Sequence, residues 1–234
     1  MNLIAPSYRS LLSSLSKQRL LSPLAPELYF LRGGRRANSY ASFVVREPPA
    51  NVANQRVIPL IFPSASAWDP ASVTGQTSLA AMLAEHGYTG VEIDLEVPGP
   101  RPAIPNKLLN IFAKELASQI RLSGQMFKPC IISHGVGSSL IAQTYIESNN
   151  ASGLVMISPA VDTHEALHLL PAPMKEFTYE PNFPILIVDT PERIELHEQR
   201  NRLVKDGLVD MAIVPQLVEK NVFSAVAKWL DDQL

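Results

Sequence analysis

Strand-length apolar runs alternate with helical segments along the chain from residue 56 to the C-terminus. The runs VIPLIF (57–62) and PILIV (184–188) are almost continuously apolar, as in strands that are covered on both faces. Between such runs, residues 106–122 repeat apolar side chains every three or four positions, which is the spacing of an amphipathic helix. This alternation predicts a single α/β domain, with a mostly parallel sheet and helices on both of its faces.

Composition narrows the class of protein. The 234 residues are 46% apolar and 18% charged, which suits a globular core rather than a disordered chain. No apolar run reaches the roughly 18 to 20 residues of a membrane-spanning helix, so we expect no integral membrane segment. The single cysteine, Cys130, excludes an internal disulfide and a cysteine-cluster metal site. We therefore predict no metal and no cofactor.

Charge is distributed unevenly along the chain. Residues 1–45 carry six basic side chains and one acidic one, whereas the rest of the chain carries 14 basic and 21 acidic side chains. A basic, serine-rich and acid-poor leader of this kind is typical of an organelle transit peptide. We expect residues 1–45 to direct the protein to the mitochondrial matrix, with cleavage near residues 36–45, and residues 46–234 to form the domain. A disordered basic arm or a surface helix is the alternative.

The stretch KPCIISHGVGSSLIAQTY (128–145) has the pattern of a buried strand, a sharp glycine turn and the start of a helix. In many hydrolases a turn of this kind carries a nucleophilic serine at its apex, between small residues that leave the turn uncrowded. The turn consists of five residues, Ser133, His134, Gly135, Val136 and Gly137.

Four segments in this order resemble the α/β-hydrolase superfamily over roughly residues 57–234. They are VIPLIFPSASAWDP, LAEHGYTGVEIDLEVPGP, PCIISHGVGSSLIAQTYIE and FPILIVDTPERIE. The resemblance implies an α/β-hydrolase-like fold with a minimal cap, an oxyanion loop in the first segment and a nucleophile elbow in the third. It also implies a catalytic acid near the end of the fourth, where Asp189, Glu192 and Glu195 lie.

The residues that would carry the family's chemistry depart from its pattern. The nucleophile position falls on Gly135, which has no side chain that could attack a carbonyl. No histidine follows His197, although the family places its catalytic histidine after the last strand. The oxyanion loop reads FPSAS, in which Pro63 has no amide, so Ser64 and Ala65 are the remaining pocket or oxyanion-loop positions.

These departures favour a degenerate family member without catalytic residues. We expect a noncatalytic mitochondrial protein that acts in binding, as a scaffold or as a subunit of a complex. Its partner would be another protein or a larger mitochondrial assembly, with a small acyl-like ligand as a further option. The acidic body suits a basic partner surface and lacks the basic stripe of a nucleic-acid-binding protein.

Two other functions stay open. The first is an active serine esterase or thioesterase with a displaced nucleophile. The side chains that could replace residue 135 are those of Ser133, Ser138, Ser139 and Cys130. Such an enzyme needs a histidine within reach of the nucleophile, and the histidines to consider are His164, His168 and His197. The second is nucleotide binding, for which the only signal is the pair of glycines 135 and 137 after a strand.

Overall fold

We describe residues 42–96 and 99–234 of the chain in a computed structural model. They form one seven-stranded sheet with the strand order β1-β3-β2-β4-β5-β6-β7. The strands are β1 Ser42–Arg46, β2 Leu60–Ser64, β3 Gly90–Asp94, β4 Cys130–His134, β5 Gly153–Ile157, β6 Ile185–Asp189 and β7 Asp210–Ile213. Only β1 runs antiparallel to its neighbour, and every other pair is parallel. The predicted α/β class is therefore confirmed.

Helices cover both faces of this sheet. They are α1 Gln76–Glu85, α2 Pro105–Leu122, α3 Gly135–Ile146, α4 Pro191–Arg200, α5 Arg202–Lys205 and α6 Glu219–Gln233. Two short 3₁₀ helices, Pro70–Val73 and Glu165–His168, lie in the connections. Within the described residues, no helix is both long and apolar enough to cross a membrane.

The central strands are buried on both faces because their side chains alternate between two hydrophobic layers. Ile61, Ile131 and Leu154 belong to the layer that includes the apolar faces of α2 and α3. Leu60 and Val155, which come next to them in sequence, belong to the opposite layer with α1 and α6. This two-sided burial explains why these strands are continuously apolar in sequence.

The first strand begins earlier than the sequence suggests. Residues 42–45, which the sequence analysis assigns to the leader, pair with β3 in the sheet, where Ser42 lies opposite Asp94. The side chain of Arg46 forms an ion pair of 2.7 Å with Glu92 on the neighbouring strand. The rest of the expected transit peptide lies outside the described residues.

Gly87 is required by the tight turn between α1 and β3. Its φ angle is +103°, a backbone conformation that residues other than glycine rarely adopt. Its amide donates to the Ala84 carbonyl at 3.0 Å, and the amide of Tyr88 donates to the Leu83 carbonyl at 3.0 Å, so the last turn of α1 is closed. A methyl group at this position would also overlap the carbonyl oxygen of Asn54.

We predict that Gly87→Ala destabilises the fold more than Gly124→Ala does. Gly124 also has a positive φ of +74° but has open space where a methyl group would lie, so its substitution costs only about 1–2 kcal/mol of backbone strain. Gly87→Ala adds a steric overlap with backbone to the same strain. Urea denaturation of both variants measures the difference, and equal losses would show that the Asn54 contact is unimportant.

Candidate functional site

The strand-to-helix turn at residue 135 lies at the carboxyl edge of the sheet. Strand β4 ends at His134 and α3 begins at Gly135, whose φ is +77°. The amide of Gly137 donates to Asp69 Oδ2 at 2.8 Å. A methyl group at Gly137 would lie 2.6 Å from the same oxygen. The turn thus combines a left-handed glycine at its apex with a second glycine that lets a carboxylate approach closely.

Asp69 belongs to the connection between β2 and α1, and it is 5% exposed. Its other oxygen, Oδ1, accepts the amide of Ala71 at 3.1 Å and so caps the 3₁₀ helix Pro70–Val73. One carboxylate therefore holds the 3₁₀ helix and the start of α3 together. The sequence analysis did not single out Asp69, although an aspartate before a proline is a common helix-start signal.

The two expected oxyanion-loop residues form hydrogen bonds within the fold. The hydroxyl of Ser64 donates to Asp94 Oδ1 at 3.0 Å, and the amide of Ala65 donates to Ser72 Oγ at 3.0 Å. Both residues are buried, and neither lines the cavity of about 510 Å³ that is described below. Ser64 is buried because it is the last residue of a central strand. The turn after it brings Ser72 Oγ next to the Ala65 amide, which is therefore not available to a substrate.

The serines that flank the turn are buried and hydrogen-bonded within the fold. Ser133 Oγ donates to the Val155 carbonyl at 3.1 Å and lies 3.2 Å from Ser139 Oγ. Ser138 Oγ donates to the Pro63 carbonyl at 2.6 Å. These hydroxyls bind the central helix to the sheet, and none of them is hydrogen-bonded to a histidine among the described residues.

Cys130 is also unsuited to attack a substrate. Its side chain is fully buried at the start of β4, in the layer that α1 and α6 cover. Burial raises the pKa of the thiol far above its ordinary range, so the nucleophilic thiolate does not form at neutral pH.

A cavity of about 510 Å³ lies on the side of the sheet that faces α1 and α6. Its apolar lining includes Phe62, Leu79, Ile132, Ile157 and Val222, and its exposed lining residues include Glu219 and Lys220. The one histidine in its wall is His134, the last residue of β4. The cavity therefore lies at the carboxyl ends of parallel strands, where open α/β sheets bind ligands.

His134 differs from the other histidines in its surroundings. Burial lowers the pKa of its imidazole, and the Ala71 carbonyl and the carboxylates of Asp69 and Asp189 offset this only in part. Its Nδ1 is buried and has no hydrogen-bond partner among the described residues. A neutral imidazole with an unpaired ring nitrogen can accept a proton.

The three histidines considered as bases in the sequence analysis lie elsewhere. His164 and His168 are exposed around the 3₁₀ helix Glu165–His168, and His168 Nδ1 contacts the backbone carbonyl of Glu165 at 2.8 Å. His197 is fully buried, with Nε2 3.3 Å from Asp189 Oδ2 and Nδ1 3.3 Å from the Asn201 amide. In the described part of the chain, none of these three histidines is hydrogen-bonded to a serine.

Asp189, the first of the expected acid positions, is buried and belongs to an ionic network whose other members are partly exposed. Arg193 Nε donates to Asp189 Oδ2 at 2.9 Å, and its guanidinium also pairs with Glu165 at 2.7 Å. Burial alone would raise the pKa of Asp189, but hydrogen bonds from His197, Arg193 and the Thr190 amide outweigh it and hold the pKa below 3.8. The pKa of Glu165 is likewise lowered below 4.5, because hydrogen bonds from Arg193 and the Val161 amide outweigh its burial.

We predict that Arg193→Met lowers the free energy of unfolding by about 2–4 kcal/mol at neutral pH, because it leaves two carboxylates without their cation. The folded state holds both carboxyl pKa values below their ordinary values. The stabilisation is therefore present above about pH 4 and is lost as the pH falls through the lowered values. Urea denaturation of wild type and variant should show a difference that shrinks towards acid pH.

Arg200→Met is the matched control on the same helix. Arg200 is 61% exposed, and its guanidinium lies 3.8 Å from Asp162, so its loss should change stability by no more than about 0.5 kcal/mol. Equal losses in the two variants would contradict a special role for Arg193.

Comparison with known proteins places this geometry in a familiar fold. No protein-family model matches the chain, and no curated protein matches it significantly. Among solved structures, the chain is similar to the esterase domain of a Rhodothermus marinus protein, with 16% identity and a TM-score of 0.53 over 82% of this chain and 99% of that one. It is also similar to Est1E from Butyrivibrio proteoclasticus, with 14% identity and a TM-score of 0.55 over 82% of this chain and 95% of that one. A Pyrococcus furiosus esterase matches with 12% identity and a TM-score of 0.53, over 86% and 94%.

These similarities correct the expectation of a noncatalytic binding, scaffold or subunit protein. The similar structures are named as esterases and other hydrolases, which favours the alternative of an active esterase or thioesterase and an enzyme over a protein without activity. The error arose because departures from the family pattern at the nucleophile, histidine and oxyanion-loop positions were taken to mean that no other residues could carry the chemistry. The chain has the fold of the α/β hydrolases.

Proposed function

We propose that the chain hydrolyses a small apolar ester or thioester in the cavity beside His134, with a nucleophile other than residue 135. The observation that carries this proposal is the position of an imidazole in the wall of a mostly apolar cavity at the carboxyl edge of the sheet. The volume of about 510 Å³ lies within the usual range of small-molecule sites.

The lining of the cavity suits an acyl group. Side chains from β2, β4, β5, α1 and α6 form its apolar walls, so an aliphatic chain loses little by leaving water there. The polar rim at Glu219 and Lys220 allows the other end of the substrate to remain in solvent. The small acyl-like ligand expected from the sequence is, in this proposal, the substrate.

His134 would act as the general base. Its lowered pKa keeps the imidazole neutral at pH 7, which is the form that accepts a proton from an attacking hydroxyl group. The attacking oxygen bonds to the carbonyl carbon, and the bond from that carbon to the alcohol oxygen or thiol sulfur breaks. The overall reaction consumes one water molecule and releases a carboxylic acid and an alcohol or thiol.

We predict that His134→Gln lowers the rate of ester hydrolysis by about 10²- to 10⁴-fold, the usual contribution of a general base. In the wild type, kcat/KM should fall as the pH is lowered through a pKa below 6.5, because protonation removes the base. The measurement is hydrolysis of p-nitrophenyl acetate, butyrate and octanoate, and of acyl-CoA thioesters, by the full-length chain.

His164→Gln is the control, because His164 is exposed and lies in the connection that follows β5. It should leave both the rate and the pH profile unchanged. A wild-type chain that hydrolyses none of these substrates, or a His134→Gln variant as active as the wild type, would contradict the proposal.

We also propose that residues 1–41, which precede β1, act as a mitochondrial targeting segment, on the basis of their six basic side chains and one acidic one. Fused to a fluorescent protein, these residues should direct it to mitochondria in cells. Replacement of Arg9, Lys17 and Arg19 by glutamate should abolish import, because it reverses the charge of the leader. A cytosolic signal from the unmodified fusion would contradict this assignment.

A further inference from the structure

Exposed apolar side chains are concentrated in one part of the protein surface. Among the described residues, four of the five most exposed large apolar side chains belong to one group, which we call the apolar patch. They are Val57 (69% exposed), Leu122 (67%), Met126 (93%) and Phe127 (57%). Single exposed apolar residues are ordinary on protein surfaces, but a group of them marks an interaction site.

The members of the apolar patch come together at the amino edge of the sheet. Leu122 is the last residue of α2, and Met126 and Phe127 lie in the connection from α2 to β4. Val57 lies in the connection that leads to β2, the parallel neighbour of β4. The first residues of β2 and β4 are register partners, and Val57 and Phe127 each precede them by three residues. They are therefore at the same level of two adjacent chain segments.

The turn after α2 directs the patch away from the core. Gly124 has a positive φ of +74°, which ends the helix. The Ser123 amide donates to the Gln119 carbonyl at 2.9 Å, and its hydroxyl donates to the Ile120 carbonyl at 2.8 Å. The end of α2 is thus closed by local hydrogen bonds, and Met126, beyond the turn, contacts little of the fold. The patch protrudes instead of forming a flat surface.

Basic side chains flank the patch. Arg121 and Lys128 are exposed, and neither forms an ion pair among the described residues. Residues 116–146, which include both of them, contain no acidic side chain. Asp231 of α6 is paired at 2.6 Å with Arg56, the residue before Val57. The protruding apolar side chains are therefore accompanied by unpaired positive charge.

We propose that residues 122–128, together with Val57, dock the protein onto a membrane surface that carries anionic phospholipids. The apolar side chains insert among the headgroups, while Arg121 and Lys128 keep their charged ends at the level of the phosphates. A protein partner fits less well, because stable protein interfaces bury about 800 Å² on each side and are depleted in lysine. This surface is a protruding turn with Lys128 directly beside Phe127.

Docking of this kind is independent of the proposed hydrolysis. The patch lies at the amino edge of the sheet, before β4 begins, whereas the cavity is lined by His134 at the other end of that strand. A membrane bound at the patch therefore does not cover the cavity.

The test is co-sedimentation of the full-length chain with vesicles of phosphatidylcholine alone, or of phosphatidylcholine and phosphatidylserine in equal parts. We expect binding to the anionic vesicles that weakens as salt is added. Met126→Ser combined with Phe127→Ser should lower the partition coefficient about tenfold or more, because the inserted apolar surface is lost. Lys128→Gln should lower it about fivefold, on the anionic vesicles only.

Met211→Ser combined with Ile213→Ser is the matched control, because both residues are exposed apolar residues on β7, outside the patch. This variant should bind vesicles as the wild type does. Residues 1–41 are the same in every variant, so any binding by that basic segment cancels in the comparison. Thermal melting shows whether each variant is folded.

Met126→Trp provides a local signal at the patch. Trp68 and Trp229 are buried, so this variant adds the one exposed indole of the described residues. Its emission should shift to shorter wavelength when anionic vesicles are added. Vesicle binding without that shift, no binding by the wild type, or equal binding by the Met126→Ser, Phe127→Ser variant overturns the proposal. Self-association or a bound protein that this double variant loses, with vesicle binding unchanged, assigns the patch to a protein partner and also overturns it.

Discussion

The carboxylate of Asp69 is the interaction on which the arrangement of the site depends. It binds the amide of Gly137 at the start of α3 and the amide of Ala71 in the preceding connection, so a loop from β2 is fixed against the end of β4. Because the loop is held there, the Ala71 carbonyl lies beside the His134 ring. A buried carboxylate that accepts two backbone amides is a charge-assisted contact and stronger than an ordinary turn hydrogen bond. Gly137 is needed because any side chain would collide with the carboxylate.

Two neighbouring strand ends at the carboxyl edge of the sheet are followed by a residue with a positive φ. At the turn after β4, glycine adopts a positive φ at little cost, so no strain is held there. One strand away, Ser158 adopts a positive φ although a side chain makes it unfavourable. The turn at residue 135 is therefore unstrained, whereas the strained residue, Ser158, directly follows β5.

The fold is well predicted from the sequence because the spacing of apolar residues distinguishes its strands from its helices. Continuous apolar runs in β2, β4, β5 and β6 and the helical spacing in 106–122 leave few alternatives to a parallel sheet covered on both faces. The site is harder to predict. The role of Asp69 depends on a contact across 68 residues, and the strain at Ser158 is a backbone property that no residue type signals. The pairing of Asp189 with a guanidinium from the next helix likewise appears only when α4 packs against the sheet.

Two histidines lie near carboxylates at this edge, and their surroundings decide which of them can take part in chemistry. His197 is fully buried, and both of its ring nitrogens have partners, Asp189 and Asn201. To accept a substrate proton it would have to break one of these contacts in a site that solvent does not reach. His134 has a ring nitrogen without a partner and lines a cavity large enough for a ligand. The Asp189 network therefore stabilises the framework, and in the proposed function the proton is taken up by His134 on the other face of the sheet, where β4 ends.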